Sequence, residues 1–353
     1  MDVCPWNPAK GIENERTMAN SMKKKTYQKL SAVGALAASL LLGAVRMPGQ
    51  DAYETPAVTA GKAFKLSGYS QFLATFQDAG LDGFSVRRAR LSLTGDPLKN
   101  VHYKIQVDAV KSPILLDGLL EFAFTEAASL RIGQFKVPFS QESLTSSADL
   151  DTINRARPVV KLAPGQDIGA SGRDIGAAIF GRTAILEYTL GVFNGAGINK
   201  ADTNEQKDWA GRILVHPASF LTLGASVYDG VYSATNAVPG EKRDRAGLEM
   251  AVLTGPLSFR GEYIRASDGA ILKEGWYLQG GYFFLPKKLQ GIVKVDSYNP
   301  DTSAESVRTS QWTAGLNWLF SSRTKLMVNL ELAKDASGAT TNTVFLAHFQ
   351  VGF

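Results

Sequence analysis

From about Phe64 onward, apolar and polar residues alternate with period two. Val101, Tyr103, Ile105, Val107 and Ala109 alternate with His102, Lys104, Gln106 and Asp108. Leu326, Val328, Leu330 and Leu332 alternate in the same way with Lys325, Met327, Asn329 and Glu331. Residues two apart share one face of a strand, so each run reads as a strand with one apolar and one polar face. No stretch of comparable length has helical period. The runs predict about sixteen strands: 64–76, 84–95, 101–110, 116–126, 130–138, 173–180, 185–193, 209–216, 220–232, 246–253, 258–266, 276–285, 290–298, 311–320, 324–334 and 342–353.

The connections alternate in length. Short turns at 96–100, 254–257 and 321–323 are interleaved with longer polar segments such as 194–208, 233–245 and 299–310. Short turns on one side and long loops on the other are the pattern of an outer-membrane barrel. The expected fold is therefore all-β, a transmembrane antiparallel β-barrel over 64–353. Aromatic residues agree with it. Trp209, Trp276 and Trp312 open even-numbered strands, and Tyr232 and Tyr298 close odd-numbered ones at the same level. Phe220, Phe259, Phe284, Trp318 and Phe320 fall near the short turns, which gives two girdles at the headgroup levels. The chain ends on the alternation Phe345, Ala347, Phe349, Val351, Phe353. That ending resembles the assembly signal of outer-membrane barrels, which implies recognition of Phe353 by the barrel-assembly machinery. A closed barrel also pairs this strand with the first one and removes an aggregation-prone edge.

The connection over 139–172 is the longest, and by strand counting it is the third external loop. A sixteen-stranded barrel encloses an aqueous channel, so a long third loop folded into the lumen is expected to narrow it. This loop carries Arg155, Arg157 and Lys161, opposed by Glu142, Asp149, Asp151 and Asp167.

Ahead of the strands, Met22-Lys23-Lys24-Lys25 precedes the uncharged run Ser31–Val45. That run is too short to span a bilayer as a helix and has the form of a secretory signal peptide. The expected organisation is an N-terminal extension over 1–21, with Met22 as an alternative start, a signal region over 22–52 cleaved after Ala44 or Ala52, and a short periplasmic linker over 53–63. Cys4, the one cysteine, lies upstream of all of it, so the exported part has neither a disulfide framework nor a thiol nucleophile. Export without a membrane helix points here to the outer membrane of a Gram-negative-type bacterium, with lipid and lipopolysaccharide around the barrel.

The net charge of +5 changes less than it suggests. Of 38 basic and 33 acidic residues, seven and three lie in 1–46, which leaves 31 against 30 in the rest. The body is near neutral, and its charge gives no support to nucleic-acid binding. Any preference for charged solutes must come from placement. Strand parity puts Arg88, Arg90, Lys104, Arg212, Arg260, Lys294 and Lys325 on the polar, lumen-facing side, with Asp108, Glu121, Glu187, Glu262, Asp296 and Glu331. The opposite parity would put each basic group in lipid at about 2–4 kcal/mol near the midplane. Arg260 with Glu262, and Lys294 with Asp296, are expected to pair along their own strands. Parity on the fifth strand leaves Arg131 and Lys136 unplaced. Arg88 and Arg90 have no acidic residue on their strand, and Lys104 is on the next. If Arg155, Arg157 and Lys161 face them, the constriction is positive and favours anions. The candidate channel-lining residues are Arg88, Arg90, Lys104, Arg155, Arg157, Lys161, Arg212 and Arg260.

Three motifs carry a family resemblance: Phe84-Ser85-Val86-Arg87-Arg88-Ala89-Arg90-Leu91, then Leu130-Arg131-Ile132-Gly133-Gln134-Phe135-Lys136-Val137-Pro138-Phe139, and, after the long loop, Gly172-Arg173-Asp174-Ile175-Gly176. In this order they resemble the phosphate-selective porin O and P family. The resemblance implies a homotrimeric sixteen-stranded channel whose lumen passes phosphate or pyrophosphate. The long arginine series of that family's best-known members is not present in this chain, so the resemblance speaks more for a porin than for phosphate. The expected function is passive diffusion of small hydrophilic solutes with a weak anion preference, phosphate or polyphosphate included. A non-selective porin and a non-conducting structural or adhesive barrel remain the alternatives. His102, His216 and His348 lack a nucleophile elbow or metal-ligand spacing, so neither an enzyme nor a cofactor is expected.

Overall fold

A computed structural model describes residues 64–202, 204–232 and 240–353. The expectations for 1–21, 22–52 and 53–63, Cys4 among them, lie outside the described residues, as does the side chain of Tyr232.

The strand segments are β1 (Lys65–Gln77), β2 (Gly83–Leu98), β3 (Val101–Asp108), β4 (Leu115–Thr125), β5 (Ala128–Lys136), β6 (Arg173–Arg182), β7 (Leu186–Phe193), β8 (Asp208–Ala218), β9 (Leu221–Asp229), β10 (Val231–Tyr232), β11 (Glu241–Thr254), β12 (Leu257–Asp268), β13 (Ile271–Leu285), β14 (Leu289–Asn299), β15 (Thr309–Leu319), β16 (Lys325–Lys334) and β17 (Thr340–Gly352). The two-residue β10 continues β9 past Gly230, and both pair with β11, so the wall has sixteen antiparallel strands. β1 pairs with β17 from Tyr69 opposite Gly352 to Gln77 opposite Val344. Gly68 and Phe353 then exchange backbone hydrogen bonds at 3.1 and 2.9 Å. The barrel is closed, and the terminal strand has no free edge.

Alternation decides which face meets lipid. On β13, Leu278, Tyr282 and Phe284 are 44, 44 and 58% exposed, whereas Tyr277 and Gln279 on either side of Leu278 are buried. Trp209 and Trp312 are likewise exposed. Tyr298 departs from the expected girdle, because it packs against an inner apolar cluster.

Two boundaries differ from the pattern reading by five residues, the starts of β11 and β13. β11 starts at Glu241 rather than 246, and the strands expected over 258–266 and 276–285 run on to a two-residue turn at Gly269-Ala270. In both places charged residues reach into the ladder and read as loop. Arg243 and Arg245 alternate inward and are buried, and Arg265 stands opposite Glu274.

The 137–172 connection is built on two short helices, Gln141–Leu144 and Arg157–Leu162. Ser140, at φ 66°, caps the first by accepting from the Ser143 amide, and Pro158 sits in the first turn of the second. Phe139, Val159 and Leu162 are buried with Ile264 and Ala266 of β12 and Tyr277 of β13. Each fully buried aliphatic side chain of this kind stabilises the packing by about 1.5–3 kcal/mol.

Candidate functional site

The inward faces of the wall carry charge, and most of it is paired. Arg90 on β2 stands directly opposite Asp108 on β3, and Nε donates to the carboxylate at 2.9 Å. Lys104 reaches Asp117 at 2.7 Å, and Arg173 holds the same carboxylate. Arg212 pairs with Glu249 of β11.

The loop supplies the other partners. Arg157 donates to Asp296 at 2.8 Å, and Arg260 pairs with Asp151. Lys294 donates to Thr152 Oγ1 at 2.8 Å and to the Asn154 carbonyl at 2.7 Å, and lies 3.5 Å from Glu142. Lys325 donates to the Leu150 carbonyl, Asn329 accepts from the Ile153 amide, and Gln71 donates to the Ser147 carbonyl. The expected pairs along one strand, Arg260 with Glu262 and Lys294 with Asp296, do not form. The loop carboxylates and carbonyls come closer than the neighbours two residues along. Arg157 also departs from expectation, since its partner is on β14 rather than beside Arg88 and Arg90.

Three cations near one another have no carboxylate contact. Arg88 donates to Gln71 Oε1 at 2.8 Å, and Arg87 to Asn154 Oδ1 at 2.7 Å. Arg155 donates to the carbonyls of Glu142 and Thr145 at 3.0 and 2.7 Å. Burial lowers the Arg155 pKa, Glu142 raises it, and Arg90 lowers it again. A guanidinium still stays charged under such conditions. Arg87 Nη1 and Arg88 Nε are buried with no hydrogen-bond partner among the described residues. Lys161 lies exposed on the second loop helix.

Beside this cluster is a cavity of about 280 Å³ lined by Arg90, Lys104, Arg131, Lys136 and Arg173 against only Asp117 and Glu121. A second cavity of about 390 Å³ shares Arg90, Gln106 and Ser146 with it and extends to the short turn at Ser322 and Arg323. Arg131 bonds Glu121 at 2.7 Å, and Lys136 Nζ donates to the carbonyls of Ser143, Leu144 and Thr145. Parity could not place this pair. Five residues apart on a regular strand, they would face opposite ways. Arg131 and Phe135, four apart, keep one face and both line the cavity, and Lys136, the next residue and the last of β5, lines it too, so the alternation breaks at the end of the strand. Within the strand Gly133 has a φ of 115°, open to glycine and to few other residues. A Cβ there would lie 2.2 Å from the Gly118 carbonyl oxygen.

The model of one family, phosphate-selective porin O and P, matches residues 66–238 and 230–351. The chain belongs to the phosphate-selective porin O and P family. No curated protein matches it. Among solved structures, OmpF of Salmonella typhi in complex with daunomycin has a TM-score of 0.64 at 9% identity, with 83% of this chain and 98% of that one covered. OmpT of Vibrio cholerae, in its trimer form, has a TM-score of 0.60 at 10% identity, covering 82% and 99%. The outer-membrane channel DcaP of Acinetobacter baumannii has a TM-score of 0.57 at 12% identity, covering 82% and 97%. At these identities the likeness is one of fold.

This porin is an outer-membrane channel, and its three family motifs meet in space. Arg90 comes from the first, Arg131 and Lys136 from the second and Arg173 from the third, and all four line the smaller cavity. Sequence reasoning had two of its five cations, Arg90 and Lys104. The signal for the others was already in the motifs, since each brings at least one basic residue to this cavity.

Proposed function

We propose that this porin is a passive diffusion channel for small hydrophilic solutes with a weak anion preference. In this reading residues 137–172 lie across the lumen and constrict it, and the preference is set by Arg88 and Arg155 together with the basic cavity near them. The observation that carries it is the cavity, where five basic side chains meet two carboxylates, with Asp108 behind Arg90 as a third, an excess of two cations. An anion stripped of part of its water is compensated there by nearby cations. Arg157, Arg212 and Arg260 contribute little, because each is neutralised by its own carboxylate. The same pairing favours a second reading, a non-selective pore, in which the lumen presents nearly balanced charge throughout. Signal-directed export, assembly through Phe353 and a homotrimer complete the proposal, the last consistent with the fold shared with the trimeric OmpT.

The test is the reversal potential of the reconstituted channel in a planar bilayer under a KCl gradient. The anion reading expects a shift toward the chloride equilibrium potential. A reversal at zero leaves the non-selective pore, and a shift toward potassium removes the preference altogether.

A further inference from the structure

The basic cavity is only partly polar. Leu119 of β4, Phe135 of β5 and Leu144 of the first loop helix form part of its wall between the charged groups. The Arg131 guanidinium lies over the rings of Phe135 and Phe180, at 5.3 and 4.7 Å from their centroids, which turns a cation and an aromatic edge to the same space. Its volume of about 280 Å³ corresponds to roughly nine water molecules. An inorganic phosphate, with five heavy atoms, would leave most of it to water.

The donors are also limited. Lys136 gives its three N–H groups to loop carbonyls, and Arg173 is held by Asp117, Gln106 and the Ser171 carbonyl. Lys104 and Arg131 are the least enclosed, at 34 and 28% exposure, and each is already engaged by one carboxylate. Two N–H groups of Lys104 and four of Arg131 are left for a ligand, enough to hold a carboxylate between the two side chains. We propose that this cavity is a binding site for organic carboxylates with an apolar body, the carboxylate at Lys104 and Arg131 and the hydrocarbon against Leu119, Phe135 and Leu144. The proposal rests on the anion preference above and names its solute class.

The experiment is block of chloride current through the full-length channel in a planar bilayer by hexanoate, acetate or inorganic phosphate. Hexanoate is expected to act at about tenfold lower concentration than acetate, because its extra methylene groups leave water, and at lower concentration than phosphate, which has no apolar body for the wall. L119S/L144S should abolish the hexanoate advantage while keeping the reversal potential in KCl. K104Q, which keeps the apolar wall, should weaken block by both acids alike. Equal block by hexanoate and acetate, or an advantage that survives L119S/L144S, overturns the proposal while an anion-selective reversal stands. A cation-selective reversal in KCl alone overturns the anion preference, and this site with it.

Discussion

Arg157 Nε donates to Asp296 Oδ1 at 2.8 Å across 139 residues of sequence, and so ties the second loop helix to β14. Arg260 and Asp151 make a second tie across 109 residues, from β12 to the stretch between the helices. Between these ties the loop is held by its apolar packing on β12 and β13 and by hydrogen bonds to wall side chains. The wall charge is therefore spent on holding the loop as well as on facing solute.

Asp296→Asn keeps the shape of the side chain and removes its charge. A hydrogen bond to a charged group is worth about 1.5–3 kcal/mol, enough to loosen one end of the loop without unfolding the wall. The expected result is a larger mean single-channel conductance with more current noise, and Asp151→Asn should act in the same direction. Conductance and noise equal to the parent channel in both variants would mean that the loop does not limit the path.

Selectivity should follow unpaired charge and ignore paired charge. Arg212→Gln with Glu249→Gln removes a cation and an anion together, so the reversal potential under a KCl gradient should stay where it is. Arg155→Gln or Arg88→Gln removes a cation with no carboxylate in contact. A unit charge about 8 Å from the ion path in water is worth about 0.5 kcal/mol, in favour of chloride and against potassium, so the chloride-to-potassium permeability ratio should fall by up to about fivefold. The reverse order of effects would place the selective charge at Arg212 rather than at the motif cluster.

All sixteen strands were legible because a barrel wall meets lipid on one side and a wet lumen on the other, so period two persists along each strand. It weakened where both sides are polar, at Glu241–Arg245 and around Gly269, and there the strands were read too short. The ion pairs were illegible for a different reason. Parity says that Arg260 and Asp296 face inward, but their partners Asp151 and Arg157 sit on a loop more than a hundred residues away, and only its folded path decides which wall it meets. Lys136 was hidden by its place as the last residue of a strand. By alternation Arg131 shares its face with Phe135 and not with Lys136, yet Phe135 and Lys136, adjacent at the end of β5, both line the cavity.

Gly133→Ala should be costly for a separate reason. The φ of 115° and the 2.2 Å approach to the Gly118 oxygen demand a backbone shift between β4 and β5. Strain of this kind is worth about 1–3 kcal/mol. Gly280→Ala is the control, since a Cβ there meets nothing within 4 Å. Urea titration of the folded barrel in detergent, read by tryptophan fluorescence, should show a lower midpoint for Gly133→Ala and an unchanged one for Gly280→Ala. Equal midpoints would mean that the β4–β5 contact relaxes freely.

Ionic strength separates local from global charge. The body of the chain is balanced at 31 basic against 30 acidic residues outside 1–46, so no long-range field draws anions to the mouth. Any preference must act over the few ångströms between a passing ion and the cations near the loop. The Debye length is about 10 Å at 0.1 M salt and about 3 Å at 1 M. Screening of that contact is incomplete at both, because the wall excludes much of the counterion atmosphere. The permeability ratio should therefore fall between 0.1 and 1 M KCl but stay above one, whereas a preference set by charges at the exposed mouth should vanish by 1 M. Measured on the parent channel and on Arg155→Gln, the two salt curves should converge only if Arg155 acts from the surface. Curves that stay apart at 1 M would place its charge beside the ion path.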